Sequence, residues 1–341
     1  MANHIEYKQI NKTGVIELNK PKALNAIDID MVKSLSVYLK NYANNKNINQ
    51  VLIKGNDRAF CAGGDVKSVC LSEKESDLRK NFFKLEYELN YFVYKFPKKY
   101  LSIWNGIVMG GGVGISIYGN YRIVTNNTKF AMPESAIGFF PDVGTSYILS
   151  RMKSSIGLFI TLTGYVLNYY ELYKLNLATH FIDQNNLKEL EENYINNELV
   201  KSDSFKNIPK LKSELLDNEE LIDKYFSSMN INIIIDKLRS NNSLFFKNIL
   251  EKILSRCPMS LAITCEQFKR AKNISFEECL YMDYHLSQIM VNRNDFNIGV
   301  RDVLIDKSHN PKWNPDSITK IDENIQDYFK NISTTNLCLV M

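Results

Sequence analysis

The chain has 341 residues and a formal net charge of +4; 45% of its residues are hydrophobic and 23% charged. This is the balance of a soluble globular protein with length for one large domain or two smaller ones, and the mild positive charge suits an anionic ligand without arguing for nucleic acid. No apolar run is long enough to span a membrane, and no basic cluster interleaved with aromatics marks a nucleic-acid surface.

The N-terminus, Met-Ala-Asn-His-Ile-Glu, runs almost at once into a strand pattern. It shows neither an apolar signal core nor an arginine-rich presequence, so the sequence alone reads as cytoplasmic. A short apolar strand is expected at 15–18, followed by Pro21-Lys22-Ala23-Leu24-Asn25-Ala26. Asp28 is placed to cap a helix that runs to about Tyr42. A second strand at 51–53 ends at Gly55, and a loop then carries Phe60-Cys61-Ala62-Gly63-Gly64-Asp65. A long helix is expected over 77–94, a third strand at 101–104, a helix opened by Gly110-Gly111-Gly112, and a fourth strand at 123–124. Phe130-Ala131-Met132-Pro133-Glu134 and a loop around Pro141-Asp142 follow. The pattern is one of short, irregular ββα units, so the fold class is α/β but not a plain doubly wound sheet. From about Leu187 helical periodicity takes over, punctuated by Pro209 and Pro258. The expected organisation is a core over 1–185 carrying the site, a mainly helical region over 186–330 and a tail over 331–341.

Two glycine turns carry the first chemical signal. Gly63-Gly64 after a strand lets backbone approach a ligand and aim an amide at it, although most such loops are only tight turns. Gly110-Gly111-Gly112 opens a helix whose first amides are unpaired, although glycines also permit close helix packing. Together they suggest an oxyanion hole with one amide from each turn, where removal of a donor typically costs ~3 kcal/mol. No GxxxxGK[ST] phosphate loop is present. Glu134 and Asp142 then stand in a stretch otherwise almost free of charge. Apolar flanks should raise the pKa of Glu134 toward the range useful for proton transfer, the alternative being a solvated loop acid. Glu86 lies at the edge of an apolar stripe formed by Leu78, Phe82, Leu85, Leu89, Phe92 and Phe96, and periodicity by itself favours a surface glutamate there. The six cysteines have no CxxC spacing and read as reduced thiols, and the four scattered histidines receive no role.

Pro21-Lys22-Ala23-Leu24-Asn25-Ala26, Ala59 through Asp65, Gly106 with Gly110-Gly111-Gly112, and Met132-Pro133-Glu134 with Gly138 resemble, in order and spacing, the motifs of the crotonase superfamily. The resemblance implies a crotonase-like spiral of ββα units and a helical C-terminal part that often mediates oligomerisation. It also implies an acyl-CoA ligand whose thioester oxygen is held by the amides of Gly64 and Gly111. Hydratases of the superfamily use a second glutamate at the position of Gly114, which this chain lacks. Glu134 retained, Asp142 after Pro141, and Glu86 on the preceding helix instead resemble the 3-hydroxyisobutyryl-CoA hydrolases. Phe139-Phe140-Pro141-Asp142-Val143-Gly144, Ala178-Thr179-His180-Phe181, Cys257-Pro258-Met259-Ser260-Leu261 and the run from Gly299 to Lys307 with Pro311-Lys312-Trp313 are similar as well. Thr145, Ser146 and Ser150 depart from that pattern beside the expected site and bear on acyl specificity.

By this likeness the reaction expected is hydrolysis of 3-hydroxy-2-methylpropanoyl-CoA to CoA and the free acid, a step of valine breakdown. Glu134 would attack the thioester or activate water; Asp142 and Glu86 would bind the substrate hydroxyl or position Glu134. CoA belongs to the substrate, so no separate cofactor and no metal are expected. The alternatives are a single-glutamate enoyl-CoA isomerase and a non-catalytic acyl-CoA-binding protein. The likeness suggests a mitochondrial location, although no leader is visible. Cys338-Leu339-Val340-Met341 fits a prenylation signal without upstream basic residues, so a membrane enters only if Cys338 is modified; the other reading is a chance match.

Overall fold

The computed structural model describes residues 4–74, 76–196, 208–332 and 337–339. Asn11 takes a left-handed φ of 52° at a two-residue turn, and strands β1 (Ile5–Ile10) and β2 (Thr13–Leu18) pair antiparallel across it, Ile10 opposite Thr13. Helix α1 (Ile29–Asn44) begins where expected, with the Asp28 carboxylate accepting from Met31 N–H at 2.9 Å. Next come β3 (Gln50–Lys54), β4 (Ala59–Cys61), α2 (Val66–Leu71) and α3 (Asp77–Tyr94). Then follow β5 (Lys99–Trp104), β6 (Ile107–Met109), α4 (Gly111–Gly114), β7 (Tyr121–Val124) and β8 (Lys129–Ala131). A 3-10 turn at Glu134–Ile137 leads to α5 (Thr145–Leu149), α6 (Ile156–Thr163), α7 (Tyr169–Lys174) and β9 (His180–Phe181).

Two sheets result. The larger runs β1-β2-β3-β5-β7-β9, parallel except at its first pair; the smaller is β4-β6-β8, parallel throughout. Alternation along the large sheet divides its faces. Val15, Leu52, Leu101 and Ile123 face one way and are covered by Leu190 and Tyr194 of α8 (Leu187–Ile195). Ile16, Ile53, Trp104 and Val124 face the other way into the main core.

The units are therefore β–β–α; the first places both β1 and β2 in the large sheet, and the pairs β3/β4, β5/β6 and β7/β8 each give one strand to each sheet. Five of the six large-sheet strands were legible in the sequence, β1 only as a strand pattern near the N-terminus; the two-residue β9 was not. The three-residue strands β4, β6 and β8 are too short to show alternation and were visible only as the approaches to the glycine and proline motifs. Their adjacency matters most. Cys61 pairs with Val108, and Met109 with Ala131, so the carboxyl ends of three neighbouring parallel strands deliver Gly63-Gly64, Gly110-Gly111 and Pro133-Glu134 to one place.

The remaining helices are α9 (Glu214–Asp217), α10 (Glu219–Phe226), α11 (Ile231–Arg239), α12 (Leu244–Leu254), α13 (Pro258–Ala271), α14 (Phe276–Met290) and α15 (Asn294–Val300). Pro258 sits in the first turn of α13, where its missing N–H costs nothing. Helix α14 packs on α3, and α15 packs on the 134–137 turn, so the helical region walls the site on one side. Apolar residues of both regions share one continuous core. Within the C-terminal segment, Leu337 is buried and Cys338 N–H donates to Glu88 Oε1 at 3.2 Å, while the Cys338 side chain is exposed. The last two residues of the Cys-Leu-Val-Met motif lie outside the described residues. No helix among the described residues is long and apolar enough to cross a membrane.

Candidate active site

A cavity of about 140 Å³ opens at the ends of β4, β6 and β8. Gly64, Glu86, Gly111, Glu134 and Asp142, all five residues singled out from the sequence, line it.

Backbone bonding sets the two glycine turns. Asn25 donates from Nδ2 to the carbonyls of Ala59 and Phe60 and accepts from Lys20 N–H, which ties the Pro21–Ala26 motif to β4. Ile27 N–H donates to Gly63 O at 2.9 Å, and Asp65 N–H to Ile27 O at 2.8 Å. Both neighbours of Gly64 are thus committed, and the Gly64 N–H is left without a protein partner among the described residues. Gly111 is the first residue of α4, so its N–H is among those a helix cannot satisfy internally. The turns touch: a Cβ on Gly111 would stand 3.0 Å from Gly64 N and 2.3 Å from Glu86 Oε1. Glycine is required here by that close approach.

The carboxyls converge on the same space. Glu134 leads the 3-10 turn, its carbonyl accepting from Phe139 N–H, and its Oε1 stands 3.0 Å from where a Cβ on Gly110 would lie. Glu86 is only 2% exposed, so the surface reading that periodicity favoured is overturned: the edge of the α3 stripe faces this cavity, not water. Asp142 Oδ2 accepts from Tyr87 O–H at 2.7 Å. Glu86 Oε1 and Glu134 Oε2 are buried with no hydrogen-bond partner, as expected of groups kept for a ligand or water.

Burial drives the electrostatics. It pushes the Glu86 carboxyl well above the ordinary range, with the charges of Asp142 and Glu134 adding to the effect. Burial, then Asp142, does the same for Glu134. Asp142 is pushed up to about 7 by burial, moderated by the Tyr87 hydroxyl. Three carboxyls buried around one cavity disfavour one another's ionisation, the condition under which neighbouring acids share protons and serve acid–base work. Among the described residues no cluster is arranged to hold a metal ion.

Gly114 is decisive about what the site lacks. A Cβ there would meet Val143 Cβ at 2.6 Å and Asn90 Nδ2 at 2.8 Å. The position has no carboxylate and no space for one. Sequence reasoning missed Tyr87 and the fully buried Asp283 of α14, whose carboxyl is also raised by burial and by Asp142. Asp283 was detectable: it falls within the apolar series Phe276, Leu280, Leu286 and Met290.

A parallel-strand spiral delivering two glycine amides and a buried glutamate to one cavity is the architecture of the crotonase fold. The family model described as Enoyl-CoA hydratase/isomerase matches residues 13–329, and the chain belongs to that family. It is similar to the mitochondrial 3-hydroxyisobutyryl-CoA hydrolases of Danio rerio and Homo sapiens. The first is 36% identical over 96% of this chain and 89% of the relative, the second 37% over 95% and 88%. Among solved structures, a carnitinyl-CoA dehydratase from Mycobacterium thermoresistibile aligns with a TM-score of 0.92 and 31% identity, over 99% of this chain and 98% of the other.

Proposed function

We propose that this chain is an acyl-CoA thioester hydrolase acting on 3-hydroxy-2-methylpropanoyl-CoA, as the names of its hydrolase relatives suggest. The observation that carries the reading is the pairing of one buried Glu134 with two unpartnered amides, beside a Gly114 closed to a second carboxylate. Hydration of a double bond needs two acids around one water; thioester cleavage needs one base or nucleophile and an oxyanion site.

In this mechanism the thioester oxygen lies between the N–H groups of Gly64 and Gly111, which stabilise it as negative charge develops. Glu134 then either adds to the carbonyl carbon or takes the proton of an attacking water. In the first route the adduct breaks its C–S bond, expelling CoA thiolate and leaving a mixed anhydride that water cleaves to the free acid and the Glu134 carboxylate. In the second the adduct again expels CoA thiolate. In both routes the thiolate leaves as the thiol, with the proton that the water supplies. Asp142, ordered by Tyr87, and Glu86 hold the substrate 3-hydroxyl and set the proton inventory of Glu134. The chamber has room for a short acyl thioester, not for a nucleotide. A wider cleft of about 580 Å³ abuts it across Ala136 and Val303 and brings Arg256 and Lys312 to the mouth, cations suited to an anionic carrier. The relatives' names place them in mitochondria, and we propose the same compartment and a role in valine breakdown.

The test is release of free thiol from a panel of short acyl-CoA thioesters, with crotonyl-CoA hydration and enoyl isomerisation run in parallel. Fastest thiol release from the 3-hydroxyisobutyryl thioester supports the reading. Hydration or isomerisation without thiol release overturns it, and tight acyl-CoA binding with no turnover returns the non-catalytic alternative. Solvent ¹⁸O appearing in Glu134 after single turnover distinguishes the anhydride route from the general-base route.

A further inference from the structure

The turn 141–144 is held at successive groups by side chains from distant parts of the chain. Gln267 Nε2, on α13, donates to Pro141 O at 2.8 Å. Asp142 O accepts from Thr145 N–H at 3.0 Å and from the Thr145 hydroxyl at 2.7 Å. Tyr118 O–H donates to Val143 O at 3.2 Å. Asp283, on α14, accepts Gly144 N–H on Oδ2 at 2.8 Å and Gln267 Nε2 on Oδ1 at 2.8 Å. Gln267 and Asp283, both fully buried, therefore bracket the turn and each other.

The backbone inside this bracket is unusual. Val143 has φ +53° and Gly144 φ +73°. A β-branched residue avoids the left-handed region, so the turn persists only if its surroundings over-determine it. Asp283 itself does not line the cavity. It is a carboxyl buried among aromatic and apolar groups, near Asp142 and with no cation bonded to it among the described residues, so that its ionised form is disfavoured. A group placed so unfavourably for stability needs a compensating use.

We infer that Asp283 is a positioning residue for Asp142, acting through Gly144 and Gln267 to fix the 141–144 turn so that Asp142 meets both Tyr87 and the substrate. The inference rests on the reading that Asp142 takes part in the reaction. Removal of the bracket lets the turn relax from its left-handed path, and Asp142 loses its aim by a fraction of an ångström. Misplacement on that scale lowers turnover while leaving distant substrate contacts intact.

The test uses the full-length protein and the thioester substrate. Asp283→Asn keeps an acceptor for Gly144 N–H but sets an amide N–H against that of Gln267. It is expected to lower kcat about ten-fold with KM changed less than about two-fold. Tyr118→Phe removes a single hydroxyl and is expected to lower kcat about three-fold, which keeps the idea testable even if the Asp283 variant folds poorly. The Asp142→Asn/Asp283→Asn double variant should lose no more than Asp142→Asn alone, because both act through one group. A purely structural role would instead make the losses multiply. Wild-type kcat in Asp283→Asn and Tyr118→Phe beside an impaired Asp142→Asn overturns the inference alone. Wild-type activity in Asp142→Asn removes the reading of Asp142 and this inference with it.

Discussion

The proposed oxyanion site gives the sharpest prediction through Gly111→Ala. By helix propensity alone, alanine at this first helical position should stabilise the chain by up to about 1 kcal/mol. Against that, the added methyl stands 2.3 Å from Glu86 Oε1 and 3.0 Å from Gly64 N. The Glu86 contact is to the free end of a side chain that has no partner to lose, so it yields. The Gly64 contact is to backbone and must open by a few tenths of an ångström. Overpacking of this kind costs about 1–3 kcal/mol, so the net stability change should lie between zero and about 3 kcal/mol of loss. The effect on catalysis is larger, because the methyl occupies the space where both amides would grip one oxygen. Loss of a single such donor is worth ~3 kcal/mol, or at least about 100-fold in kcat. Thiol release and calorimetric melting, measured together, separate the two effects. Gly112→Ala is the control. Its methyl would strike Cys61 O at 2.6 Å, away from the chamber, so its activity should fall only as far as its folded fraction. Gly111→Ala turning over within about three-fold of the parent would refute the oxyanion assignment.

Three further outcomes are expected. Glu134→Gln should melt within a few degrees of the parent and lose at least ~100-fold in thiol release; undiminished turnover removes Glu134 from the mechanism. Asp142 has a folded value raised to about 7 by burial, so between about pH 4 and 7 the folded state keeps a proton that the unfolded chain has released. Stability therefore falls as pH rises through that window, and Asp142→Asn should flatten the fall, melting higher than the parent at pH 8 and equally at pH 4; superimposable melting curves would contradict this. Gly114→Glu should destabilise the fold, since even its Cβ meets Val143 and Asn90, and should yield no hydratase activity; a folded variant that hydrates crotonyl-CoA would show the steric argument to be wrong.

The long elements were legible in the sequence because local rules and tertiary packing agree there. Asp28 caps α1, and α3 runs over Asp77–Tyr94 as its apolar stripe requires. Glu134, Asp142, Gly64 and Gly111 were legible as motifs, though nothing in the spacing of one motif shows that β4, β6 and β8 lie side by side. That adjacency depends on pairings between strands remote in sequence, Cys61 with Val108 and Met109 with Ala131. Glu86 was misjudged from periodicity because a stripe edge faces water or a cavity according to what packs above it, here the turn 141–144 and α14. Tyr87 and Gln267 were overlooked for the opposite reason: each looks like a tolerated polar residue on a helix until its partner on a remote segment is known, whereas Asp283 stood out only by its place in the apolar series of α14.

Glu86, Glu134, Asp142 and Asp283 are all buried, and among the described residues none forms an ion pair. No opposite charge offsets the cost of burying such a group, so stability and function should pull in opposite directions where it also lacks hydrogen-bond partners, as at Glu86 Oε1. Glu86→Gln tests that most cleanly. Gln occupies the same volume, carries no charge to desolvate, and disturbs no existing bond at the unpartnered Oε1. Because burial holds the Glu86 carboxyl above its ordinary value, the parent's folded state resists ionisation at alkaline pH, and the substitution should raise Tm at pH 8 while changing it little at pH 4. With the acyl hydroxyl held less well and the proton inventory of Glu134 altered, kcat/KM for the 3-hydroxyacyl thioester should fall by about ten-fold or more, and less for the matching thioester without a hydroxyl. Equal losses on the two substrates would deny Glu86 any part in hydroxyl recognition. A lower Tm at pH 8 would mean that its buried charge is compensated by something other than the groups that surround it.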